Sequence, residues 1–113
     1  MRSGWLLRDG DVVCALQMTD FISERWQGRS GPSGPSGGLQ LCGARWIHTA
    51  GAQAPVDIAF LNADLVVLFL TRMPPWRLAL PRRGVRSVVQ AEAGLWERLS
   101  VQVGDQFEIR EVQ

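Results

Sequence analysis

From Leu39 to the C-terminus the sequence is cut into short apolar segments of strand length, separated by Gly, Pro, Asn and Asp. That rhythm leaves a chain of this kind little choice but a small β-rich fold. Leu39-Gln40-Leu41-Cys42 and Arg45-Trp46-Ile47-His48 read as strands parted at Gly43. Val56 to Leu61 alternates and runs into the turn Asn62-Ala63-Asp64, and Leu65 to Thr71 is a continuous apolar run that suits a strand buried on both faces. Pro74-Pro75 interrupts pairing, because neither residue has an N–H to give a neighbour. Trp76 to Leu80 alternates weakly, Pro81-Arg82-Arg83-Gly84 turns the chain, and Val85 to Gln90 and Gln106 to Val112 supply further strands.

Upstream, Asp9-Gly10 lies between apolar runs, and Gly there supplies the positive φ of a tight hairpin. Thr19 to Gly28 is expected to form a short helix, capped by Thr19 or Asp20 and ended by Gly28, and Glu92 to Leu99 a second one. Between them the tract 29–38, RSGPSGPSGG, has no apolar side chain to offset its ordering entropy and is expected to be a flexible loop. The fold class expected is α+β and mainly β: a small barrel-like or strongly curved, antiparallel-rich sheet with two short helices. With 113 residues, 46% of them hydrophobic, the chain is read as one domain over 1–113.

Several function classes lose support at this stage. Twelve basic residues, all Arg, balance 11 acidic ones, so neither a polybasic face for a phosphate backbone nor a nucleic-acid partner is expected. Cys14 and Cys42 show no zinc-ligand spacing, and one His with scattered carboxylates is a thin supply for any metal. A disulfide between the two requires their strands to come close. No phosphate-binding glycine loop occurs, and no cofactor is expected. The N-terminus lacks a signal-peptide core and no apolar run is long enough to cross a bilayer, so a soluble cytoplasmic protein is expected, monomeric or weakly homo-oligomeric.

The segment that could carry chemistry runs from His48 to Asp57. If strands 45–48 and 56–61 pair as a hairpin around Thr49 to Pro55, His48 and Asp57 fall opposite one another, and Asp57 can fix the imidazole tautomer. Such a pair reads first as a fastening for an irregular loop, next as part of a binding face, and last as a general base and its orienting carboxylate in a minimal hydrolase or transferase. Catalysis would need a nucleophile beside His48, and Thr49 and Cys42 are merely near in sequence. The candidate ligand contacts are His48, Thr49, Gly51, Pro55 and Asp57 on this segment, with Trp76 and Arg77 beyond it. A non-catalytic binding or accessory module is the function expected, its ligand an unidentified small molecule or protein.

Five blocks resemble the family called domain of unknown function 192. They are His48-Thr49-x-Gly51, Pro55-Val56-Asp57-Ile58-Ala59-Phe60-Leu61-Asn62-Ala63-Asp64, Pro75-Trp76-Arg77, Val88-Val89-Gln90-Ala91-Glu92-Ala93-Gly94 and Leu99-Ser100-Val101-Gln102-Val103-Gly104-Asp105. Each is weak alone, and together they are fairly specific over roughly residues 20–110. The resemblance implies a compact β-rich fold with short helices in a family of small bacterial and archaeal proteins, and it implies no reaction. The sequence departs from the family pattern at Ala52, where Met is usual, at Gln90, where Glu is usual, and after Gly28, where the family tends to run Arg-x-x-Gly-Leu-Leu-Gly-Arg and the polar tract follows the first Gly instead.

Overall fold

The computed structural model describes residues 2–20, 37–50 and 52–112. These form β1 (Arg2–Arg8), β2 (Asp11–Asp20), β3 (Gly37–Cys42), β4 (Ile47–His48), β5 (Val56–Leu61), β6 (Val67–Met73), β7 (Leu78–Ala79), β8 (Ser87–Glu92), α1 (Leu95–Arg98) and β9 (Glu108–Val112). Seven strands make one sheet in the order β6-β5-β8-β3-β2-β1-β9, and β4 pairs with β7 in a separate two-stranded sheet. In the large sheet β2 and β3 run parallel and all other neighbours run antiparallel.

The first hairpin forms as its turn chemistry dictates. Asp9 and Gly10 take φ of 54° and 84°, the two left-handed positions of a primed turn, whose twist matches that of the flanking strands. The start of edge strand β6 meets the turn that leads into the other edge strand, β9. Val66 bridges Gln106, and Val67 turns its N–H to the Asp105 carbonyl and its own carbonyl to the Gly104 N–H. Beyond that bridge the edges are not paired among the described residues, and the sheet is not closed into a barrel.

Hydrophobic side chains pack on both faces. On one, Leu6, Leu16, Leu61, Val67 and Val89 meet Leu95 and Trp96 of α1 and Phe107. On the other, Leu39, Leu41, Ile58, Phe60 and Val88 are covered by Ile47 of β4, with Ala79 of β7 against them. β5 lies inside both clusters, so all six of its residues are buried. Cys14 packs in the first cluster, and burial pushes its thiol pKa up to about 11.

Four expectations are corrected. The continuous apolar run at 65–71 belongs to β6, which is an edge strand and largely half-buried; β5 is the strand buried on both faces. Apolar composition reports affinity for a core, whereas the place of a strand in the sheet is set by its partners. The described residues hold one helix, the four-residue α1, shorter than the predicted 92–99 because Glu92 still pairs with Val56 across β8 and β5. Thr19 lies in β2 rather than capping a helix, and the rest of that predicted helix, 21–28, is outside the described residues. Gly37 and Gly38 open β3 instead of closing the predicted loop, whose remainder, 29–36, is also outside them.

The two cysteines cannot bond. Cys42 stands opposite Asp20, six residues along β2 from Cys14, which separates them by about 20 Å. Among the described residues no helix is long and apolar enough to cross a membrane.

Candidate functional site

The loop after β4 is organised by Thr49, which is 1% exposed. Its hydroxyl donates to the Pro74 carbonyl at 2.7 Å and accepts the Arg77 N–H at 2.8 Å. Its backbone N–H donates to the Arg77 carbonyl at 2.9 Å, and its carbonyl accepts the N–H groups of Trp76 and Ala52. Pro74 and Pro75 bring no N–H groups of their own, so this stretch cannot anchor itself by strand pairing. One buried threonine therefore clamps residues 74–77 to the β4 side of the molecule, and the β4–β7 pair continues the clamp with Ile47 opposite Ala79 and His48 opposite Leu78.

This corrects the predicted hairpin. β4 pairs with β7 and not with β5, so His48 and Asp57 are not cross-strand partners. A seven-residue connection with Pro55 at its end permits a hairpin but does not enforce one, and Thr49 finds its partners at 74–77 instead. His48 is half-buried; its Nδ1 accepts the Ala50 N–H at 3.3 Å, which leaves the proton of the neutral ring on Nε2. Its ring lies 5.8 Å from that of Trp46. The Thr49 hydroxyl, committed to Pro74 and Arg77, is spoken for as a structural group.

Asp57 has a different task. Buried on β5, it accepts the Arg72 Nε–H at 3.0 Å, the Gly94 N–H at 3.0 Å and the Trp96 N–H at 3.3 Å. It thus supplies the first turn of α1 with an acceptor that the turn's own residues lack, and it anchors a guanidinium that is half exposed. The hydrogen bond and charge of Asp57 hold Arg72 above its ordinary pKa.

Arg72 leads to a feature that strand-by-strand reading of the sequence missed. An open groove of about 590 Å³ runs between β6 and the segment that Thr49 clamps. Phe69, Thr71, Arg72 and Met73 form the β6 wall; Arg77 through Arg82 form the other. Arg82 lays its guanidinium 3.8 Å from the centroid of the Phe69 ring, a cation–π contact across the groove. Leu78 and Leu80 are 58% and 67% exposed there. Of the residues predicted to contact a ligand, Arg77 lines this groove. Trp76, 69% exposed and at φ 63°, adjoins it, while Thr49 supports it from behind. Pro55 is exposed just before β5 and does not line the groove, and Gly51 is outside the described residues. The signal that could have found the groove is Arg72, Arg77 and Arg82 alternating with apolar residues around the Pro74-Pro75 and Pro81 breaks.

Gln90, at the position where the resemblance expects Glu, is 1% exposed and neither atom of its amide has a hydrogen-bond partner. An amide there avoids burying a charge, which would cost far more. Among the described residues no three potential metal ligands come together.

With this geometry in place, comparison with known proteins gives one family. The model of the DUF192 family, described as "Uncharacterized ACR, COG1430", matches residues 44–109. A UPF0127 protein of Pyrococcus furiosus is 37% identical over 62 residues, covering 55% of this chain and 53% of that protein. One of Pyrococcus abyssi is 34% identical with the same coverage. The matched part thus spans about half the length of these curated relatives, and their names state no reaction. Among solved structures, a Sinorhizobium meliloti protein provisionally described as a transcription regulator superposes with a TM-score of 0.75 at 20% identity, over 96% of this chain and 92% of that one. A Novosphingobium aromaticivorans protein of unknown function gives 0.63 at 19% identity, over 94% and 83%. At such identities these two establish the fold.

Proposed function

This chain belongs to the DUF192 family, whose function is uncharacterised, and we propose that it is a non-catalytic binding module whose recognition surface is the groove between β6 and residues 77–82. The observation that carries this reading is the Thr49 clamp: a buried side chain with two hydrogen bonds is spent on fixing an exposed wall that bears Arg77, Leu78, Leu80 and Arg82. A fixed wall of cationic and apolar groups suits a ligand that is anionic and partly apolar. A hydrolase built on His48 is disfavoured, since Asp57 is committed to Arg72 and α1 and, among the described residues, no carboxylate orients the ring. The regulator description belongs to the Sinorhizobium protein; here 12 basic against 11 acidic residues give no reason to propose DNA contact. We place the module in the cytoplasm, as a single domain that is monomeric or weakly homo-oligomeric.

The test is a thermal-shift screen of small anionic and aromatic carboxylate compounds. A groove ligand at about 100 times its Kd stabilises the protein by about 2.7 kcal/mol. Arg77→Ala, which spares the backbone atoms that Thr49 uses, should erase that stabilisation while leaving the unliganded melting temperature in place. Ligands whose effect is indifferent to Arg77→Ala and Arg82→Ala would place recognition elsewhere.

A further inference from the structure

The groove has one wall made of sheet edge, whose outer backbone is largely unpaired among the described residues. β6 ends the seven-stranded sheet, and its outer side is engaged at Val66 and Val67 by residues 104–106. From Leu68 to Met73 no strand among the described residues pairs with that side. Six residues span about 20 Å, enough to receive one extended segment of similar length. The groove lies along this stretch, with residues 77–82 as its far bank.

We propose that the outer edge of β6 takes an extended acidic segment of a partner protein as an added strand, a reading that rests on the groove being the recognition surface. Three observations select this occupant. First, an open edge offers alternating N–H and C=O groups, which match a peptide backbone. Second, the lining includes Arg72, Arg77 and Arg82 and no Asp or Glu. Arg72 is balanced by Asp57, whereas Arg77 and Arg82, the latter stacked on Phe69, have no carboxylate partner among the described residues and can face acidic side chains. Third, the exposed Leu78 and Leu80 offer apolar contact to the alternate side chains of such a strand.

The other edge of the sheet makes the contrast. β9 carries Glu108, Arg110 and Glu111 on an exposed surface, with Arg110 paired to Glu108, the charged dressing that discourages edge pairing. β6 has one charge from Val67 to Met73, that of Arg72, and it is turned to Asp57. A second copy of this chain offers either β9, whose mixed charge is a poor complement to Arg77 and Arg82, or its own β6, whose bank carries the same two arginines and no acidic complement.

The experiment uses 15N-labelled full-length protein and three probes: a capped hexapeptide alternating Glu with Val, its Lys-for-Glu counterpart, and the acidic peptide N-methylated at alternate residues. The acidic peptide should shift the amides of residues 68–73, 77–80 and 82, and bind at least about tenfold more tightly than the Lys peptide. N-methylation should abolish binding, and Arg77→Glu with Arg82→Glu should weaken the acidic peptide by about tenfold or more. Equal binding of the N-methylated peptide overturns strand addition while leaving the groove as the recognition surface. Small anions that bind in the groove where no peptide does likewise overturn strand addition and keep the groove. Shifts at β9, or self-association by light scattering that buries β6, replace the partner with a second copy and overturn the proposal. If neither peptides nor small anions perturb the groove, the binding-module reading falls with it.

Discussion

Asp57 shows how one side chain can join three elements. From β5 it reaches Arg72 on β6 and the N–H groups of Gly94 and Trp96 at the start of α1. Its own exposure is 3%, so these bonds replace water almost completely. Truncation by Asp57→Ala leaves two N–H groups short of an acceptor and frees the guanidinium, at a cost of about 2–4 kcal/mol. Denaturant unfolding would measure it. Asp57→Asn keeps one acceptor oxygen and should fall between the wild type and Ala. A loss no larger than that of an exposed-site change would mean that the helix start is held by something else. The residue itself was legible, since an acid within the apolar run Val56 to Leu61 must have partners. Which partners could not be read, because Arg72 and Gly94 are brought to it by strand register.

At the scale of elements, turns were the most readable feature. Asp9-Gly10, Asn62-Ala63-Asp64 and Pro74-Pro75 mark boundaries through φ preferences and missing donors, which are properties of the residues themselves. Strand neighbours are different, and Gly4 illustrates why. It sits in β1 between Leu16 of β2 and Glu111 of β9, and a Cβ there would run into the Arg110 carbonyl. A backbone carbonyl yields only if the strand moves. Gly4→Ala should therefore cost about 1–3 kcal/mol and pry β9 away from β1. Amide exchange is the direct readout: residues 108–112 should exchange faster while β5 and β8 keep their protection. Uniform loss of protection across the sheet would instead mean that β9 is not a separable edge.

For the molecule as a whole, the two hydrophobic clusters share their strands. β5 gives Ala59 and Leu61 to one and Val56, Ile58 and Phe60 to the other; β8 gives Val89 and Ala91 to the first and Val88 to the second. Neither cluster can lose its order without disturbing those strands. We therefore expect a single unfolding transition, with calorimetric and van't Hoff enthalpies equal and near-UV and far-UV dichroism coincident. Two resolved transitions would show that the faces melt apart, and that 1–113 is not one cooperative domain.

Taken alone, the sequence determined the β-rich class, the first hairpin, most strand positions and the family, because these follow from side-chain alternation, turn residues and motif order. It also placed Arg77 among the binding candidates. Tertiary structure alone decided that His48 faces Leu78 rather than Asp57, that β6 is an edge, and that Arg72, Arg77 and Arg82 share one groove. Each of those depends on which strand lies beside which. That choice is made by buried polar groups such as Thr49 and Asp57 finding partners far along the chain, and no local pattern of residues encodes it.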